Sequence, residues 1–166
     1  DPEIGAVHRP NSYNSNSVIN NQGLRNVDDT PESKPAGATR IYCSGGSTTF
    51  CYNLNTDQAW PSVLQAELRK EPGHEKDEVL NGGEICFSLN HEFALGRRMI
   101  PKLKPDVVIL FTGVNEGMQG QQFAAQSPTK LDELLKAEAW GTPSQNLDQA
   151  RFWKRNSALT RLWDYY

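Results

Sequence analysis

The sequence predicts an α/β fold with a parallel sheet, because short apolar runs of strand character alternate with helical periodicities, and the first two runs lead into glycine pairs. Ile41-Tyr42-Cys43 is the first strand-like run, ended by Ser44-Gly45-Gly46, where missing side chains permit a sharp turn. Trp60, Val63, Leu64 and Leu68 then repeat at helical spacing, with Pro61 tolerated in the first turn, and the helix is expected to end near Arg69. Val79-Leu80 forms a second strand closed by Asn81-Gly82-Gly83. Leu89, Phe93, Gly96, Ile100 and Leu103 mark one face of a second helix, capped by Asn90 and bent or ended by Pro101. Val107 to Phe111 is a continuous apolar run with the character of a strand buried on both faces. Strand and helix lengths of this kind imply βαβ units with right-handed crossovers and helices on both faces of the sheet.

The flanking regions differ from this core. Residues 1–37 carry Pro2, Pro10, Pro31 and Pro35 among many Asn and Ser residues, so an extended, wrapping segment is expected there, and the domain proper spans 38–166. From Gln119 onward the pattern is helical, with Leu131, Leu134 and Leu135, then Phe152, Leu159 and Leu162, and no further strand is evident.

Composition narrows the function. Seventeen basic against twenty acidic residues give a net charge of -3, which supplies no positive field for nucleic acid or anionic lipid. Arg151, Lys154, Arg155 and Arg161, interleaved with Phe152, Trp153 and Trp163, read as the charged outer face of an amphipathic helix rather than a phosphate-binding patch. No apolar stretch approaches the roughly 20 residues of a membrane helix. The chain starts at Asp1 without a basic-then-apolar leader, so any signal or anchor is expected to have been removed; location stays open, with an extracytoplasmic one favoured. Cys43, Cys51 and Cys86 lack the paired spacing of a zinc site, and no cofactor or metal is expected. Cys43 reads as a small buried apolar residue.

Two polar clusters follow predicted strands: Gly45-Gly46-Ser47-Thr48 after the first and Gly113-Val114-Asn115-Glu116 after the third. In open α/β sheets the carboxyl edge is where ligands bind, above all at a switch point, and a strand order of 2-1-3 would place the two clusters across one crevice there. A serine at a strand-to-helix turn is exposed near a helix N-terminus, which favours the negative charge of acyl transfer, so Ser47 is a candidate nucleophile. An asparagine side chain offers an N–H to an oxyanion, a donor worth roughly 3 kcal/mol in other enzymes, and Asn115 is the candidate. The plainer alternative is that Ser47 caps a helix and Asn115 caps a turn.

Arg40-Ile41 through Gly45-Gly46-Ser47-Thr48-Thr49-Phe50 resembles block I of the SGNH (GDSL-like) hydrolases in their GGST variant. Val79-Leu80-Asn81-Gly82-Gly83 resembles the approach to block II, and Lys104-Pro105-Asp106-Val107-Val108 through Gly113-Val114-Asn115-Glu116 resembles block III, where the family has Gly-x-Asn-Asp or Gly-x-Asn-Glu. The resemblance covers residues 40–116, and Ile19-Asn20 through Gly23-Leu24-Arg25 is similar to an upstream segment of some GGST members. It implies a flavodoxin-like three-layer α/β/α fold of strand order 2-1-3-4-5. It further implies a cofactor-free esterase acting on carboxylic esters or glycan O-acetyl groups through an acyl-serine. Ser47 would be the nucleophile and Asn115 an oxyanion donor.

Two positions depart from the family pattern. The block II glycine, expected five residues after Asn81, is Cys86, whose backbone N–H is retained as an oxyanion donor, with Gly83 as the fallback. Cys51 likewise stands where GGST members often have glycine, which raises the expectation of a Cys51 to Cys86 disulfide. The family's Asp-x-x-His has no match, and the histidines are His8, His74 and His91. His91 is read as a solvated or capping histidine rather than a base. Strands four and five and the catalytic histidine are therefore expected in a missing C-terminal segment or on a second chain, leaving this chain alone inactive. Two alternatives stand beside the hydrolase: an O-acyltransferase on the same scaffold, and a non-catalytic carbohydrate-binding or interaction protein.

Overall fold

The computed structural model describes residues 4, 5 and 7–117. Three parallel strands form the main sheet: β3 (Arg40–Gly45), β4 (Glu78–Gly83) and β5 (Val107–Phe111), in the order β4-β3-β5. Before them, β1 (Ser12–Asn14) and β2 (Ser17–Ile19) make an antiparallel hairpin. Tyr42 stands in register with Leu80 on one side and Val108 on the other, so β3 is the central strand. This is the 2-1-3 order expected of the first, second and third strands of the sheet.

The helices are α1 (Ser47–Phe50), α2 (Trp60–Leu68) and α3 (Leu89–Leu103). Pro61 lies in the first turn of α2, where its missing N–H costs nothing, and Arg69 is the C-cap. Tyr42, Leu80, Met99 and Leu103 pack with Leu24 into one apolar cluster, which joins β3, β4 and α3 to the N-terminal segment. Cys43 is fully buried, and burial pushes its thiol up to about 12, so it behaves as the small core residue expected.

The N-terminal segment is tied down more firmly than its composition suggests. Asn26 Nδ2 donates to the Val79 carbonyl at 2.8 Å and its Oδ1 accepts from Asn81 N–H at 2.9 Å, so a side chain blunts the outer edge of β4 as a neighbouring strand would. Arg25, 1% exposed, lies 4.7 Å over the Phe50 ring and reaches the Phe50 and Leu54 carbonyls. Asn20 holds Thr30 Oγ1 at 2.9 Å and receives the Gln22 and Leu24 N–H groups at 2.9 and 3.1 Å. The hairpin at 12–19 turns at Ser15, whose φ of 51° is left-handed.

Several expectations need correction. The strands run further than their apolar cores: β3 continues to Gly45, and Asn81, Gly82 and Gly83 lie inside β4 rather than closing it. Ser88, not Asn90, caps α3, and the helix passes through Pro101 to Leu103 before Lys104 takes a left-handed φ of 47°. The buried row of α3 is Glu92, Gly96, Met99 and Leu103, while Phe93 is 67% exposed. Nor is β5 buried on both faces: Val107, Val108, Leu110 and Phe111 are exposed, and with Phe93 and Ile100 of α3 the strand lines an apolar groove of about 510 Å³. Among the described residues no helix is long and apolar enough to cross a membrane. The helical readings around Leu131 to Leu135 and Phe152 to Leu162, and the basic stretch from Arg151 to Arg161, lie outside the described residues.

Candidate functional site

The central strand delivers the serine. β3 ends at Gly45, Gly46 is extended, and Ser47 opens α1 directly. Ser47 is half-buried, and its hydroxyl has no hydrogen-bond partner among the described residues. The helix that follows is a single turn of 4 residues, so it offers less dipole than a longer helix would. The Thr49 and Phe50 N–H groups are consumed by the Gly46 carbonyl at 3.0 Å each.

The asparagine comes from the neighbouring strand. Past Phe111 the chain turns at Gly113, whose φ of 109° suits glycine, and residues 114–117 form one helical turn. Asn115 Nδ2 donates to the Phe87 carbonyl at 2.6 Å. A methyl placed on Gly46 would meet the same Nδ2 at 3.0 Å and the Phe87 carbonyl at 3.3 Å, so a side chain of any size at 46 would press on the amide. Ser47 and Asn115 line one crevice together with Gly46, Phe87, Glu92 and Glu116. Its volume is about 10 Å³, room for about one water molecule.

β4 brings the third element. Gly83 N–H, the fallback oxyanion donor, donates to Asn81 Oδ1 at 3.0 Å. Cys86 is exposed with a left-handed φ of 62°, and its N–H has no acceptor among the described residues. Cys51 also has a left-handed φ, 60°, and its Sγ donates to the Thr48 carbonyl at 3.3 Å. Both thiols are free, which overturns the expected Cys51 to Cys86 disulfide. The two positions share a backbone conformation that glycine adopts at no steric cost, and that is the physical reason a glycine fits there.

Two carboxylates bound the crevice. Glu92, 3% exposed, accepts from Thr112 Oγ1 at 3.1 Å, while its Oε2 has no partner among the described residues. Burial pushes its carboxyl up, the Thr112 hydroxyl pulls it down, and the negative charge of Glu116 adds to the upward push. Glu116 itself accepts from Gly113 N–H at 3.1 Å and from Leu89 N–H.

Each histidine has another task. His8 Nε2 lies 2.7 Å from Glu84 Oε2, off the hydrogen-bonding direction, and its ring stacks on Phe50. His74 Nδ1 pairs with Asp77 at 2.8 Å. His91 Nδ1 meets Ser88 Oγ at 2.9 Å in a reciprocal cap of α3, the capping role read from the sequence.

Glu92 is the crevice residue that the sequence reading missed. Its spacing from Gly96, Met99 and Leu103 was a signal, since those positions share one helical row. The arrangement defines an α/β protein with a serine, a primary amide and two carboxylates at the carboxyl edge of a parallel sheet. No family model matches the chain, and no curated protein matches it.

Proposed function

We propose that this protein is a serine hydrolase of the SGNH, GDSL-like type, cleaving carboxylic esters or glycan O-acetyl groups. One observation carries the reading: Ser47 and Asn115, delivered by adjacent parallel strands, line the same crevice. In this scheme Ser47 Oγ attacks the acyl carbon and its proton passes to a base, while the carbonyl π electrons move onto oxygen. One Asn115 amide hydrogen is held by Phe87, which leaves the other for the oxyanion, and Cys86 N–H is the second donor. Collapse expels the alcohol with the proton, and water then releases the acid from the acyl-serine. The finer architecture, a flavodoxin-like α/β/α sheet continued by two further strands, belongs to the same proposal.

None of the three histidines is assigned as the base: Asp77 holds His74, Ser88 holds His91, and His8 stacks on Phe50 beside Glu84. A histidine from a further C-terminal segment or from a second chain completes the scheme. The same observation favours a second reading, a carbohydrate-binding protein that keeps the crevice without turnover.

Added imidazole tests both. The hydrolase reading expects acetate release from p-nitrophenyl acetate and from an O-acetylated oligosaccharide to rise with imidazole in the wild type beyond the Ser47→Ala background. Oligosaccharide binding with rates equal to that background would establish the binding reading instead.

A further inference from the structure

Asn115 and Glu116 grip the start of α3 on either side of Ser88. Asn115 donates to the Phe87 carbonyl at 2.6 Å, and the next residue, Glu116, accepts from Leu89 N–H. The second carboxylate oxygen takes Gly113 N–H at 3.1 Å, closing the loop on itself. Leu89 is the first residue of α3, so its N–H has no partner within the helix. A charged acceptor there makes a stronger hydrogen bond than a neutral one.

We infer that Glu116 is a positioning residue: by clamping the 113–116 loop to the first turn of α3, it fixes the direction of the Asn115 amide hydrogen that Phe87 leaves free in the crevice shared with Ser47. This rests on the hydrolase reading for its purpose, although the clamp itself is independent of it. Phe87 alone fixes one end of the amide; without Glu116 the loop pivots about that bond, and the free hydrogen loses its aim.

The test uses the 166-residue chain with ¹⁵N-labelled asparagine, the Asn115 side-chain signals being assigned by their loss in Asn115→Asp. Two variants cut the clamp. Glu116→Ala removes the acceptor. Leu89→Pro removes the donor at the first helical position, which tolerates proline, and Ser88 before it is already extended at φ -95° and ψ 169°. Both variants are expected to move the Asn115 amide signals to solvent-exposed values and to slow fluorophosphonate labelling of Ser47, measured with imidazole added as base, by at least about tenfold. Glu116→Asp, which keeps the charge, is expected to restore both. Asn115 signals unchanged in whichever variant folds would overturn the clamp. Absence of Ser47 labelling in the wild type even with imidazole added would instead count against the hydrolase reading, with the amide signals still deciding the clamp.

Discussion

Gly46 and Asn115 are packed so closely that a methyl group on the first would sit 3.0 Å from the amide nitrogen of the second. Gly46→Ala therefore has to displace Asn115 or tilt the start of α1. Loss of one oxyanion donor costs about 10²- to 10³-fold in other serine enzymes. The variant is expected to keep its fold by circular dichroism and to lose imidazole-assisted fluorophosphonate labelling of Ser47 by about that factor. Unchanged labelling would show that the close packing has no bearing on reactivity.

Cys51 and Cys86 each hold a left-handed backbone, with φ of 60° and 62°. A left-handed conformation costs an L side chain roughly 1–2 kcal/mol, partly offset in glycine by the entropy its unfolded chain loses. Cys51→Gly and Cys86→Gly should each raise stability, by about 0.5–1 kcal/mol, whereas valine at either site should lower it. Urea titration measures both. Glycine variants less stable than the wild type would contradict the assignment of strain, and a thiol titration finding Cys51 and Cys86 unreactive would contradict their being free.

Arg40 and Glu78 form a pair between neighbouring strands, 2.7 Å from Nε to Oε2, with the arginine wholly buried. Arg40 also reaches the Leu103 carbonyl at 2.7 Å and the Pro31 carbonyl at 2.8 Å, so one side chain joins the N-terminal segment, two strands and the end of α3. Removing one partner of such a pair typically costs 3–5 kcal/mol. Glu78→Ala should destabilise by about that much in urea unfolding, and a loss below about 1 kcal/mol would mean the pair is solvated.

Glu92 and two aspartates respond to pH in opposite senses. The Arg40 N–H and Lys34 hold the Asp106 carboxyl below its ordinary range. Burial pushes Asp77 up, but the Thr39 N–H, His74 and the Arg69 charge together hold it down. Both aspartates stabilise the fold above the unfolded value of about 3.9, and that contribution is lost as pH falls through their lower folded values. Glu92, raised chiefly by burial, contributes below its unfolded value of about 4.3 and loses that contribution as pH rises through its higher folded value. Glu92→Gln keeps an acceptor for Thr112 and removes a buried charge. Its Tm should exceed the wild type at pH 7, by on the order of 1 kcal/mol of stability, with the gain shrinking toward pH 4. A gain that grows on acidification would reverse the sign.

The sheet was legible because its strands are written in β-branched and apolar residues and two of them lead into glycines beside polar groups. The same logic put Ser47 and Asn115 at one edge. The rotation of α3 was hidden, because the buried row contains a glutamate at 92 while the exposed row contains a phenylalanine at 93, an inversion of the usual hydrophobic pattern. The hairpin at 12–19 was hidden by Ser12, Asn14 and Ser17, residues with little strand preference. The disulfide expectation failed because two cysteines at glycine-like positions reveal their backbone conformation only in three dimensions.

In the proposed mechanism Ser47 and Asn115 act on one reacting group. Peptide mapping after incubation with a fluorophosphonate, with imidazole added as the base that this chain does not itself supply, tests this. A single adduct on Ser47 is expected, absent in Ser47→Ala and formed about 10²- to 10³-fold more slowly in Asn115→Ala. Labelling of Ser47 at the same rate with and without the Asn115 amide would contradict it.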